Sequence, residues 1–135
     1  MYKVTKKIDF AYGHRLLNYD GPCNRLHGHN GTLEIDVASE ELDELGMVVD
    51  FTLISEKVKG WVDAHLDHKM LLCDQDPVAT LLQNAKEPLF LMKDNPTAEN
   101  IARMVFFVAR ENGLPASEVR LWETPTGCAT FKVAD

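Results

Sequence analysis

Apolar and polar positions alternate most regularly in the first forty residues. Between Tyr2 and His14, Val4, Ile8 and Phe10 share one parity, and Lys3, Thr5, Lys7 and Asp9 share the other. Side chains two apart on an extended backbone point the same way, so this run predicts a strand with one buried face. Lys6 interrupts the apolar set. The pattern returns in Thr32 to Val37, where Leu33, Ile35 and Val37 oppose Thr32, Glu34 and Asp36. Asn18 to Asn24, with Gly21-Pro22 inside it, is turn chemistry. The two strands are therefore expected to form a hairpin closed by a loop of about a dozen residues, a length usually tied to function.

Further on, the period lengthens. Ile54, Val58, Trp61, Val62 and Leu66 recur at helical spacing, with Asp50 or Thr52 as the cap and Glu56 near the start. Asn95-Pro96-Thr97-Ala98-Glu99 reads as a second helix start, with Asn95 as cap, proline in the first turn and an acid behind it. Ile101, Val105, Val108 and Ala109 continue it to Asn112-Gly113. Val119 to Thr124 and Ala129 to Val133 read as two short strands joined by Pro125-Thr126-Gly127. Cys73 to Asp94 shows no clear period; it is broken at Asp76-Pro77 and Glu87-Pro88 around the apolar piece Leu89-Phe90-Leu91. The order ββααββ predicts an α+β layer, an antiparallel four-stranded sheet with two helices on one face, in one domain over residues 1–135.

Composition sets limits on function. The chain carries a net charge of -7, which argues against non-specific nucleic-acid binding through clustered cations. A phosphorylated small molecule remains compatible, since a few local cations or helix N-termini can hold it. The first seven residues, with Lys3, Lys6 and Lys7, lack the apolar run of a secretion signal, and the apolar stretch near Met104 to Ala109 is too short to span a bilayer. The 3 cysteines, Cys23, Cys73 and Cys128, are odd in number and irregularly spaced, so a reducing, cytoplasmic setting is expected rather than a disulfide framework.

The candidate chemistry centres on His27-Gly28-His29. On a strand these two imidazoles share a face, and Gly28 leaves the backbone free to bend toward an ion. His14 has the parity of Val4, Ile8 and Phe10, and the pair has the parity of Leu33, Ile35 and Val37. If both strands stay regular, all three rings emerge on the apolar faces, whereas a bulge near Ala11 to Gly13 would separate them. A lone histidine is more often a satisfied, half-buried side chain; an HxH pair with a third histidine in phase favours a metal. Zinc is the expected ion, although imidazoles also suit Fe, Cu, Ni and Co.

Cys23 lies in a polar loop four residues before His27. It is either a fourth ligand closing a structural site or a free thiol beside the metal, where a dication would favour the thiolate. Asp67-His68 stands at a helix end; the pair cooperates only if the chain leaves the helix there, and otherwise His68 simply complements the helix dipole. Glu123 is either a solvated strand residue or, if buried, a carboxylate able to grip an amidine edge with two hydrogen bonds. Cys73, Cys128, His65 and Met47 read as structural.

Taken together, Phe10-Ala11-Tyr12-Gly13-His14-Arg15-Leu16, Cys23-x3-His27-Gly28-His29-Asn30, Gly46-Met47-Val48-Val49-Asp50-Phe51, Leu66-Asp67-His68, Pro96-Thr97-Ala98-Glu99-Asn100 and Glu123-Thr124 resemble the 6-pyruvoyl-tetrahydropterin synthase family, in order and over nearly the whole chain. The resemblance implies the tunnelling fold, in which three subunits pool their sheets into a barrel and two trimers stack into a homohexamer with sites between subunits. It also implies zinc on His14, His27 and His29, Cys23 as catalytic thiol, Asp67 and His68 as relay, and Glu123 as pterin anchor. Thr97 would touch the pterin from a neighbouring subunit. The three-residue spacer between Cys23 and His27 resembles the bacterial QueD branch, which makes 6-carboxy-5,6,7,8-tetrahydropterin, acetaldehyde and triphosphate from 7,8-dihydroneopterin triphosphate on the route to queuosine. The animal enzymes, which form 6-pyruvoyl-tetrahydropterin without side-chain cleavage, carry a longer spacer and are the alternative. Cys23 argues against the branch with glutamate in its place. Tyr12 is a departure, since the family often has small residues there. Arg15, Arg25 and Lys69 are candidates for triphosphate contacts. A non-catalytic module with a closed three-histidine, one-cysteine zinc site remains the third reading.

Overall fold

The structure, a computed structural model, describes residues 1–133. Strands β1 (Tyr2–His14) and β2 (His27–Ser39) pair antiparallel from Tyr2↔Ser39 to His14↔His27 without a bulge. The segment between them contains a single 3-10 turn, Pro22–Asn24. Because the register is unbroken, the expected parity holds: Ile8, Phe10, Tyr12, Leu33, Ile35 and Val37 are all buried on one face.

The first helical stretch has three parts: α1 (Phe51–Ile54), a π-helical turn (Ser55–Lys59) and α2 (Gly60–His65). Asp50 caps it, accepting from the Thr52 amide at 2.8 Å. Ile54, Val58, Val62 and Leu66 reach the core at the expected spacing. Then comes the main difference from the sequence pattern. Strand β3 (Lys69–Cys73), helix α3 (Val78–Asn84) and strand β4 (Leu89–Met92) fill the segment that showed no period. Strand β3 runs parallel to β1 and to β4. Leu71, Leu72 and Cys73 are buried in succession, so the strand presents no alternation to read.

Helix α4 (Ala98–Glu111) lays Ile101, Ala102, Val105, Phe106 and Ala109 into the same core. Strands β5 (Ala116–Thr124) and β6 (Gly127–Lys132) complete a six-stranded sheet in the order β4-β3-β1-β2-β5-β6. The fold class is α+β as expected, but the sheet is mixed rather than antiparallel and has two strands and one short helix more than ββααββ. Burying each large core side chain contributes roughly 1.5–3 kcal/mol, which fixes the strands in phase and so fixes where their ends point.

The sheet face away from the helices is polar. There Asp36, fully buried, accepts from Arg120 Nη1 at 2.7 Å, Arg120 Nη2 at 2.9 Å and Thr5 at 2.6 Å. Lys3 Nζ adds a contact at 3.2 Å. Glu34 accepts from the Trp122 indole at 2.6 Å and from Arg120 Nε at 3.2 Å, and Glu118 also binds Arg120.

Candidate active site

The end of the β1–β2 ladder gathers the three imidazoles. His14 pairs with His27, and Tyr12 with His29, so the rings rise side by side on the helix-covered face. Their centroids are 4.6 Å (His14–His27), 5.0 Å (His14–His29) and 4.9 Å (His27–His29) apart. One nitrogen from each lies within 4.8 Å of the other two. Gly28 keeps regular register opposite Gly13, so the strand brings the pair together without bending.

The outer nitrogens are fixed. His14 Nδ1 is 2.7 Å from the Pro96 carbonyl, and His27 Nδ1 is 2.7 Å from the Arg25 carbonyl. A carbonyl only accepts, so each Nδ1 donates and each Nε2 keeps its lone pair for the centre. His14 Nε2 and His29 Nε2 stand 3.2 Å apart. Tetrahedral zinc, with bonds of about 2.0–2.1 Å to nitrogen, separates its ligands by about 3.3 Å. Burial lowers the His14 pKa to about 4; the Pro96 carbonyl opposes this, and the two neighbouring imidazoles reinforce it. His14 is thus neutral at physiological pH, as a ligand must be. The donor type, spacing and protonation all fit a metal ion.

Glu123 belongs to the same place. Its Oε1 is 3.8 Å from His14 Nε2, and its side chain is half-buried. Tyr12 lies beside them, its ring stacked on Phe10 at 4.8 Å and set against His14 at 5.3 Å and His29 at 5.6 Å. Its hydroxyl is buried without a hydrogen-bond partner among the described residues. Burial, and then the charge of Glu123, push its pKa above the ordinary phenol value.

Cys23 sits on the 3-10 turn, half-buried, and is not part of the three-nitrogen group. The Leu16 amide donates to the Cys23 carbonyl at 2.8 Å, tying the turn to the chain just after His14. The three imidazoles thus gather as a group without Cys23.

Asp67 and His68 do leave the helix. Both the Leu66 and Asp67 amides donate to the Val62 carbonyl, and His68 then takes φ 60. This brings Asp67 Oδ2 to 3.0 Å from His68 Nδ1. Asp67 Oδ1 accepts from the Ala11 amide at 2.9 Å, and the His68 amide donates to the Ala11 carbonyl at 2.7 Å. Burial raises the Asp67 pKa, but the Ala11 amide and His68 outweigh it and hold the carboxyl below its usual range. No hydrogen bond or ion pair joins the dyad to the three imidazoles among the described residues. His68 lines a cavity of about 650 Å³ with Tyr12, His27 and His29 as well as Gly13, Gly28 and Asn30. By parity, Gly13, Gly28 and Asn30 belong to the face opposite the three rings.

Two expectations about the second helix and its surroundings change. Thr97, not Asn95, caps α4, accepting from the Asn100 amide at 3.1 Å. Asn95 instead clamps Leu17, accepting from its amide at 2.8 Å and donating to its carbonyl at 2.9 Å. That clamp and the adjacent Pro96 carbonyl orient His14 from outside the ligand set. The sequence marked Asn95-Pro96 only as helix punctuation. Arg15 is engaged with Asp76, Nε at 2.7 Å and Nη2 at 2.5 Å, so its guanidinium is committed to the fold rather than to a phosphate.

The 6-pyruvoyl tetrahydropterin synthase family model matches residues 3–134. A 6-carboxy-5,6,7,8-tetrahydropterin synthase of Rickettsia bellii is 44% identical over 104 residues, covering 76% of this chain and 75% of that protein. The protein of that name from Rickettsia felis is 37% identical, covering 93% of this chain and 96% of the relative. An uncharacterised Wolinella succinogenes protein has the same fold, with a TM-score of 0.82 at 24% identity and 97% of each chain covered. The 6-pyruvoyl tetrahydropterin synthase of Caenorhabditis elegans aligns with a TM-score of 0.75 at 23% identity, over 98% of this chain and 96% of its own. The chain belongs to the 6-pyruvoyl tetrahydropterin synthase family.

Proposed function

We propose that this chain is a zinc-dependent lyase that converts 7,8-dihydroneopterin triphosphate to 6-carboxy-5,6,7,8-tetrahydropterin, acetaldehyde and triphosphate. The observation that carries this reading is a three-nitrogen cluster open on one side, with Glu123 3.8 Å from His14 and the Cys23 thiol outside the ligand set. Relatives at 37% and 44% identity bear the name of that synthase.

His14, His27 and His29 would hold the ion. Bound zinc would polarise the hydroxyls of the substrate side chain and acidify the adjoining C–H. Glu123 accepts two N–H groups from the amidine edge of the pterin and fixes its orientation. The Cys23 thiolate takes the side-chain proton. His68, oriented by Asp67, moves protons between side-chain carbon and oxygen. Asp67 and His68, which make no hydrogen bond or ion pair to the imidazoles among the described residues, would serve the centre of a second copy of this chain in a homohexamer of two stacked trimers. Thr97 uses its oxygen lone pair as the α4 cap and keeps its O–H free to donate to a pterin. The substrate is a small molecule, nucleic acid is not a partner, and no helix among the described residues is long and apolar enough to cross a membrane.

The test is to incubate zinc-loaded protein with dihydroneopterin triphosphate and assay acetaldehyde and product mass. Acetaldehyde with the 6-carboxy product is the expected outcome. A 6-pyruvoyl product without acetaldehyde overturns the assignment of the reaction.

A further inference from the structure

Tyr12 is the one buried polar side-chain group without a partner among the described residues. A buried hydroxyl left unpaired destabilises the fold, and phenylalanine would fill the same space without that cost. The ring's neighbours show which way it lies. The ring crosses Gly31: a Cβ at that glycine would stand 2.9 Å from Tyr12 Cε1, closer than side chains tolerate, and 3.3 Å from Leu121 Cδ1 on β5. Gly31 thus gives the ring passage across β2 toward β5. On β5, Trp122 pairs with Thr32, and the strand is irregular between Trp122 and Thr124. Glu123, inside that irregularity, brings its Oε1 to 3.8 Å from His14 Nε2, the ring against which Tyr12 is set. The Glu123 carboxylate is the charge that acts on the Tyr12 hydroxyl.

We propose that Tyr12 is a positioning residue for Glu123, its hydroxyl donating a hydrogen bond to the Glu123 carboxylate when that carboxylate grips a pterin. This rests on the reading of Glu123 as the pterin anchor. Glu123 is half-buried and its Oε1 lies toward His14. Once it turns to present both oxygens to the amidine edge, one lone pair remains on the protein side, and Tyr12 supplies the donor there. The bond fixes the carboxylate's rotamer and removes the unpaired hydroxyl in one step, so the cost of burying it is recovered only in the loaded site.

The experiment is equilibrium binding of neopterin, read by its fluorescence, to zinc-loaded wild type, Tyr12→Phe, Glu123→Gln and the double variant. Zinc content and thermal midpoint are measured alongside. Tyr12→Phe is expected to keep zinc and midpoint at wild-type values or above and to weaken neopterin binding about tenfold. Its effect is expected to shrink in the Glu123→Gln background, since a neutral amide oxygen accepts from the hydroxyl more weakly than a carboxylate does. Wild-type affinity in Tyr12→Phe overturns the proposal, as does an equal loss in both backgrounds. Wild-type protein that binds no neopterin, or Glu123→Gln that binds it as wild type does, overturns the anchor reading itself, and the Tyr12 assignment falls with it.

Discussion

The two ends of strand β2 carry two polar clusters that are opposites in one respect. Toward the far end, on the open face, every carboxylate is satisfied: Asp36 takes donors from Arg120, Thr5 and Lys3, and Glu34 from Trp122 and Arg120. At the near end, on the helix-covered face, acceptors converge. Two Nε2 atoms face each other at 3.2 Å, a carboxylate stands 3.8 Å away, and a buried hydroxyl has no partner. A saturated network has no capacity left for a ligand and acts to hold the strands in place. Imidazole and carboxylate lone pairs that face one another are complete only when something positive joins them. Satisfaction, more than burial or charge, separates the structural cluster from the functional one.

Breaking the functional end has the largest effect. Cys23→Ala is expected to lower turnover by about 10²–10⁴-fold, the range for losing a general base, with zinc content and circular dichroism unchanged. Loss of zinc from that variant would show that the thiol is a ligand. At the structural end, Arg120→Met leaves the Asp36 charge buried without its main partner. It should cost about 3–5 kcal/mol in urea unfolding, while each folded chain still binds one zinc. Asn95→Ala sharpens the comparison, because Asn95 touches no ligand yet holds the segment whose carbonyl orients His14. Its zinc affinity should fall about tenfold, measured by competition with a chelator, with little change in stability. The smallest effect is one of pH. Burial raises the Asp36 pKa, but Arg120, Thr5 and Lys3 outweigh it and hold it at about 2, against an ordinary value of 3.8. The stability this contributes is fully present above the ordinary value and is lost as pH falls through about 2. The thermal midpoint of the metal-free protein should therefore drop by a few degrees across that window from this group alone.

How much of the molecule is legible in its sequence follows from which interactions are local. Parity along β1 and β2 suffices to place His14, His27 and His29 on one face, because the hydrophobic pattern fixes a strand's phase. The helix carrying Val58 and Val62 is equally legible. Strand β3 is not, because Leu71, Leu72 and Cys73 are all buried and a short strand covered on both faces has no period. The expected cap of α4 is misplaced by two residues: Asn95 has the right chemistry for it, but its amide is engaged with Leu17 across the fold. The same kind of long-range pairing removes Arg15 from the phosphate candidates, since Asp76 gives no local sign of being its partner. The tie of Asp67 and His68 to Ala11 on β1 is a property of topology and cannot be read from spacing.

The unbroken ladder from Tyr2↔Ser39 to His14↔His27 makes the active site a matter of reading frame. Adding or deleting one residue inside either strand would send the downstream rings through the sheet, just as a frameshift scrambles every codon after it. The loop between the strands is under no such arithmetic. Adding or removing residues there would re-seat the thiol of Cys23 and leave the three rings in phase.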